Sequence, residues 1–100
     1  MRVPIFAMVA LCAVPLFAAA QEDAVARSLA ATCAACHGTE GRSVSKEVIP
    51  LAGLPRDFLA SQMRAFKEGR RPATVMHQLA KGYTDRQIDA IAGYFAAQKK

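Results

Sequence analysis

Residues able to ligate a metal or form disulfides are scarce in this sequence of 100 residues, which has three cysteines and two histidines. Cys12 lies within an apolar N-terminal segment, so only Cys33 and Cys36 remain in the rest of the chain. Two cysteines form one disulfide at most, which excludes a disulfide-rich scaffold. A structural zinc site takes four ligands. The chain after Cys12 offers just Cys33, Cys36, His37 and His77, so a zinc site would have to use all of them.

No apolar run is long enough for a membrane span, which needs about 20 residues. The apolar stretch over residues 5–17 follows Arg2 and leads into three alanines that end at Ala20. This pattern is typical of a secretory signal peptide. We therefore expect residues 1–20 to be removed and residues 21–100 to form a single periplasmic domain without stable membrane insertion. A retained anchor is the alternative.

The excess of positive charge in this chain is small. Loss of Arg2 with the signal leaves 12 basic against eight acidic residues, a net charge of +4. Nucleic-acid binders need a dense Lys/Arg stripe with interleaved aromatic residues, and none is present. The charge fits acidic protein partners or simple solubility. A domain of this size also buries only roughly 60% of its unfolded surface, so we expect it to need a cofactor or another staple.

The two remaining cysteines stand in the sequence Cys33-Ala34-Ala35-Cys36-His37, the C-x-x-C-H signature of covalent c-type haem attachment. In a helix predicted over residues 24–36, the cysteines are at i and i+3 and lie on one face. Their sulfurs can then reach one edge of a porphyrin, and His37 is turned towards the iron. The motif therefore predicts one covalently bound haem c, with His37 as the proximal iron ligand.

Val25 and Leu29 precede Cys33 at intervals of four, which predicts an apolar stripe facing the haem or the core.

Two other uses of the cysteine pair are less well supported than haem attachment. A redox-active dithiol of the thioredoxin type needs a βαβ setting, and the sequence has no strand pattern. An inert disulfide would leave His37 without a role.

The occupant of the sixth iron position decides the function, because an open site suits ligand binding or peroxidase-type chemistry and a Met or second His suits electron transfer. Met63 lies in a second predicted helix between Pro55 and Gly69, on a stripe with Leu59 and Phe66. A methionine at that spacing is more often a core residue than a ligand.

Met76 and His77 lie instead in a short connecting stretch over residues 74–82. A loop methionine can be presented to a cofactor by the helices on either side of it. Adjacent residues point in different directions, so only one of the pair can bind the iron. The pattern of residues alone does not choose between them.

A third helix follows, with a capping box formed by Thr84 and Gln87. Its predicted apolar face comprises Ile88, Ile91, Ala92 and Phe95. Tyr94 flanks this face and is expected to pack with its hydroxyl in water. Residues 38–53 form a long loop around the haem edge, so the sequence predicts an all-α domain of three main helices wrapped around the haem.

With these motifs identified, the chain resembles a small class I c-type cytochrome over all of residues 21–100. Within that class it is most similar to the haem subunit of flavocytochrome c sulfide dehydrogenase. The supporting stretches are Cys33-Ala34-Ala35-Cys36-His37-Gly38-Thr39-Glu40-Gly41, Ser43-Val44, Phe66-Lys67-Glu68-Gly69, Thr74-Val75-Met76, Ala80-Lys81-Gly82-Tyr83-Thr84 and Ala92-Gly93-Tyr94-Phe95.

The resemblance implies the class I cytochrome c fold, with Met76 as the sixth ligand and His77 as a surface neighbour. It further implies an electron carrier that does no bond-making chemistry and accepts electrons from a flavoprotein in sulfide oxidation. A free-standing periplasmic shuttle for another respiratory enzyme is the alternative, since this chain has one attachment motif and the best-known subunits carry two haem domains. The Pro-Leu-Ala-Gly spacing that begins at Pro50 is one residue tighter than the commoner class pattern. For that reason the loop carbonyl that orients the proximal histidine is not assigned to Pro50.

Basic residues cluster near Met76 in the sequence. They are Arg64, Lys67, Arg70, Arg71 and Lys81. They form either a basic collar that steers an acidic redox partner or an ordinary solvated helix face.

Overall fold

Residues 14–100 are described by the computed structural model, and over this range the chain is helical with irregular connections. The elements are α1 (Val14–Ala31), α2 (Ala34–His37), a 3-10 turn (Thr39–Gly41), α3 (Arg56–Lys67), α4 (Met76–Ala80) and α5 (Asp85–Ala96). No strand occurs within residues 14–100, which confirms the all-α prediction. The three predicted main helices correspond to α1, α3 and α5.

The predicted signal segment, residues 1–20, lies largely outside the described residues. Helix α1 continues without a break through Ala20, where we expect cleavage, and the cleavage itself stays a prediction. Burial along α1 increases only towards its C-terminal end, at Leu29 and Ala30. Val25 is 57% exposed, so the predicted apolar stripe does not reach the core at this position. Across residues 14–100, no helix combines the length and apolar character that a membrane crossing needs.

Helix α5 supplies the largest part of the core. Thr84 Oγ1 accepts a hydrogen bond from the Gln87 amide at 3.1 Å, and Gln87 Oε1 accepts one from the Thr84 amide at 2.9 Å. The predicted capping box is thus present. All four residues of the predicted apolar face are buried, and Ile88 has no exposed surface. Burying an aliphatic side chain of that size stabilises a fold by about 1.5–3 kcal/mol.

Helix α3 packs against α5 and α4, while α1 packs against α5. Helix α3 begins at Arg56, one residue later than predicted. Pro55 has an extended ψ of 136° and is therefore the N-cap residue instead of the first helical residue. Met63 is half-buried and packs against the core, as its spacing predicts. At the solvent side, Arg64 Nη2 lies 2.6 Å from Asp89 Oδ1 and joins α3 to α5.

Replacing Thr84 with alanine removes the capping hydroxyl of α5, and we expect it to lower the free energy of unfolding by about 0.5–2 kcal/mol. Arg86→Ala is the matched control, since Arg86 lies in the same turn, is exposed and makes no hydrogen bond or ion pair within the described residues. The control should change stability by less than about 0.5 kcal/mol. Guanidinium unfolding of the haem-loaded protein, followed by circular dichroism, measures both. Equal losses in the two variants would contradict the prediction.

Candidate haem-binding site

The helix predicted over residues 24–36 is broken at Thr32 and Cys33, just where the attachment motif begins. The Thr32 hydroxyl donates to the Leu29 carbonyl at 3.1 Å, a local bond that competes with continuation of a helix. The Cys33 amide then donates to a carbonyl only three residues back, at 3.0 Å, which tightens the turn. The break does not separate the motif, because the His37 amide donates to the Cys33 carbonyl at 2.9 Å.

Cys33 is half-buried and Cys36 is exposed, and no disulfide joins them. Burial raises the pKa of the Cys33 thiol. A raised pKa disfavours a redox-active dithiol, which needs a thiolate with a lowered pKa. Within residues 14–100, no three His, Cys, Asp or Glu side chains are grouped closely enough to hold a metal ion. The dithiol and zinc alternatives are both disfavoured.

His37 is oriented by a backbone carbonyl of the long loop. Its Nδ1 lies 2.8 Å from the carbonyl oxygen of Ile49. A carbonyl oxygen only accepts, so the proton is on Nδ1 and the lone pair of Nε2 is free to bind a metal. Backbone bonds of this kind fix the ring and increase the basicity of a metal-binding histidine. The donor set and the tautomer therefore fit a haem iron.

The carbonyl of Ile49 is a site group that the sequence left unassigned. The Pro-Leu-Ala-Gly spacing that begins at Pro50, one residue tighter than the commoner class pattern, gave the only signal. In the structure the accepting carbonyl belongs to the residue that precedes Pro50.

The loop that carries Ile49 is tied to the rest of the domain at several points. The Gly41 carbonyl accepts hydrogen bonds from the Leu51 amide at 2.8 Å and the Ala52 amide at 3.2 Å. The Gly53 amide donates to the Phe95 carbonyl of α5 at 2.9 Å. The position of the Ile49 carbonyl is therefore set by α5 as well as by the 3-10 turn after His37.

Met76 and His77 are the first two residues of α4, so the stretch predicted as a simple connection contains a helix of five residues. Met76 is half-buried. His77 is also half-buried, and its Nδ1 is buried without a hydrogen-bond partner among the described residues. His77 is thus less exposed than expected, and its role as a neighbour of the ligand Met76 stays a prediction.

Exposed apolar side chains flank the predicted iron ligands. Ile49, Val75 and Leu79 are each 53% exposed. Ile49 carries the carbonyl that orients His37, and Val75 precedes Met76. A porphyrin is a large apolar surface, and side chains of this kind are the ones it needs for cover. These positions support the fit to haem.

Four of the five basic side chains near Met76 have partners within the chain. The contacts are Arg64 with Asp89 at 2.6 Å, Lys67 with Asp85 at 3.6 Å, Arg70 with Glu68 at 2.6 Å, and Arg71 with Gln62 and the Phe66 ring. Three of these cations, Arg64, Lys67 and Arg70, are paired with carboxylates, and such pairs produce a weaker field than a free basic collar. The pairs favour the solvated helix face over a steering surface.

No family model matches the chain, but several known proteins are similar to it in sequence. The chain is 35% identical over 85 residues to cytochrome c-554(548) of Halomonas halodenitrificans, a match that covers 82% of this chain and 96% of that protein. It is 44% identical over 73 residues to the cytochrome subunit of sulfide dehydrogenase of Chlorobaculum tepidum, covering 72% of this chain and 64% of that protein. It is also 38% identical over 81 residues to cytochrome c4 of Pseudomonas aeruginosa, covering 81% of this chain and 40% of that protein.

A helical domain with a C-x-x-C-H motif and a correctly oriented histidine defines a protein that attaches haem covalently. With relatives of this kind, the chain belongs to the class I c-type cytochromes. The predictions of the class I fold and of a covalently bound haem c are confirmed. The identity of the residues that hold the haem stays a prediction.

Gly38, directly after His37, has φ +84°, and a Cβ added there would lie 2.3 Å from the Arg42 carbonyl oxygen. Relief of that clash moves the turn to which the Ile49 loop is bonded, so we expect Gly38→Ala to lower the yield of covalently haem-loaded protein severalfold. Gly69→Ala is the matched control, because Gly69 has φ +74° but nothing lies within 4 Å of an added Cβ. Haem staining of denatured protein measures the yield. The prediction fails if the two variants load haem equally well.

Proposed function

We propose that this chain is a periplasmic one-electron carrier in which Cys33 and Cys36 hold the haem, His37 is the proximal ligand and Met76 the distal ligand. The observation that carries the proposal is the hydrogen bond from His37 Nδ1 to the Ile49 carbonyl, next to the cysteine pair. Bound haem supplies a one-electron couple between ferric and ferrous iron.

The chain's own residues would attach, orient and shield this couple. Cys33 and Cys36 would fix the haem edge to the joint between α1 and α2. His37 would present Nε2, since its Nδ1 proton is held by Ile49. The thioether of Met76 would close the sixth position and raise the reduction potential. With both axial positions filled, electron transfer is favoured over ligand binding or peroxidase-type chemistry.

Met76→Ala should abolish the long-wavelength sulfur-to-iron charge-transfer band of the ferric protein, because no thioether would then reach the iron. His77→Ala is the matched control and should keep the band. The absorption spectra of the two ferric variants decide the ligand. A band that survives Met76→Ala would overturn the assignment. A wild-type protein that lacks the band and binds carbon monoxide without delay would favour an open site.

The proposed location and partner rest on different support. Residues 1–20 have the pattern of a secretory signal, and covalent haem is installed after export. One relative is named as the cytochrome subunit of sulfide dehydrogenase, and another, from Thiomonas intermedia, as a thiosulfate dehydrogenase electron acceptor at 40% identity over 84 residues. We favour a flavoprotein of sulfide oxidation as the electron donor, with a free-standing shuttle as the alternative.

Affinity capture of the tagged, haem-loaded chain from native periplasm should recover a flavoprotein that oxidises sulfide and reduces this haem. The expected result is flavin fluorescence and sulfide-dependent haem reduction in the captured material. The apoprotein variant with Cys33 and Cys36 both replaced by alanine, captured in parallel, is the control for non-specific binding. Recovery of the haem-loaded chain as a free monomer would instead support the shuttle.

A further inference from the structure

A hydrogen bond between side chains joins the residue before Cys33 to the turn that follows α4. Thr32 Oγ1 and Tyr83 Oη are 3.0 Å apart, although the residues are separated by 51 positions in the chain. The Thr32 hydroxyl already donates its proton to the Leu29 carbonyl at 3.1 Å. Its oxygen therefore accepts, and the Tyr83 phenol is the donor.

Each end of this bond is connected directly to one side of the proposed haem site. Thr32 is the residue before Cys33, at the break between α1 and α2. Tyr83 lies in the turn that ends α4, where its amide donates to the Ala80 carbonyl at 3.2 Å. The next residue, Thr84, is the N-cap of α5. A shift of α4 relative to the cysteines would therefore have to break the Thr32–Tyr83 bond.

Helix α4 needs such a connection because it is weak by itself. It has five residues and no side-chain cap at its N-terminus, and it packs mainly against α3. Helices this short are not stable on their own, since few hydrogen bonds offset the cost of nucleation. Short elements with few contacts open most readily in native proteins.

We propose that Tyr83 is a positioning residue which, through its hydrogen bond to Thr32, holds α4 and hence Met76 against the haem-attachment segment. The inference rests on the proposed function, because it requires Met76 to be the distal ligand. Tyr83 does not touch the iron. Its hydrogen bond lowers the frequency with which α4 moves away from the haem-attachment segment and exposes the sixth iron position.

Tyr83→Phe removes the donor and keeps the ring that packs against the core. Carbon monoxide binding to the ferrous protein measures opening of the sixth position, because the gas must wait for the distal ligand to leave. We expect the binding rate to rise about threefold to tenfold, as the loss of one net hydrogen bond implies. Exchange of the Gly82 and Tyr83 amides with solvent should speed up by a similar factor.

Tyr94→Phe is the matched control, since Tyr94 is the chain's other tyrosine and its hydroxyl makes no hydrogen bond within the described residues. It should bind carbon monoxide at the wild-type rate. From the other end, Thr32→Val should raise the rate as Tyr83→Phe does, and Thr32→Ser, which keeps the hydroxyl, should restore it. The double variant Thr32→Val with Tyr83→Phe should be no faster than Thr32→Val alone, because the Thr32–Tyr83 bond is removed only once.

The outcomes separate this inference from the proposal it rests on. If Met76→Ala keeps the charge-transfer band, Met76 is not the ligand and both ideas fail. If Met76→Ala loses the band but Tyr83→Phe binds carbon monoxide no faster than Tyr94→Phe, the role of Tyr83 alone is overturned. Faster binding in Tyr83→Phe, with the ferric band intact and rescue by Thr32→Ser, supports it.

Discussion

The proton on His37 Nδ1, held by the Ile49 carbonyl at 2.8 Å, is the constraint on which the proposed site depends. A free imidazole exchanges its proton between two nitrogens and rotates about its side-chain bonds. The carbonyl removes both freedoms and leaves Nε2 as the one nitrogen able to bind a metal. The C-x-x-C-H motif can bring the histidine to a haem, but only this bond sets the ring's orientation.

Much of the fold serves to keep that carbonyl in place. Ile49 belongs to an irregular loop, and such loops are the mobile parts of most domains. Here the loop is bonded to Gly41 on one side and to the Phe95 carbonyl of α5 on the other. Helix α5 is itself capped and carries the fully buried Ile88. Because the loop is bonded to this helix, the core stabilises the position of the Ile49 carbonyl and with it the orientation of His37.

The features that the sequence predicted are those with a local cause. The capping box of α5 and the apolar spacing of α3 depend on neighbours three or four positions away, and both are present. The break at Thr32 was missed because it depends on which of two hydrogen bonds a hydroxyl makes. The partial burial of His77 arises in α4, a helix that packs against α3, and no local spacing encodes that packing. Ile49 acts through its backbone carbonyl, a group that every residue has, so only the unusual Pro-Leu-Ala-Gly spacing at Pro50 indicated it.

The two sides of the proposed site are held in different ways. On the attachment side, two thioether bonds and a histidine would act together, and the orienting loop has several backbone hydrogen bonds. On the distal side, one methionine would extend from a five-residue helix that has no side-chain cap. Thermal opening should therefore occur on the distal side, since the free energy of local opening follows the number of contacts broken. A carrier of single electrons needs that side closed, because an open sixth position invites ligand binding. The hydrogen bond between Tyr83 and Thr32 joins the less stable distal side to the more stable attachment side. At this position one hydrogen bond has the most effect on the balance between electron transfer and ligand binding.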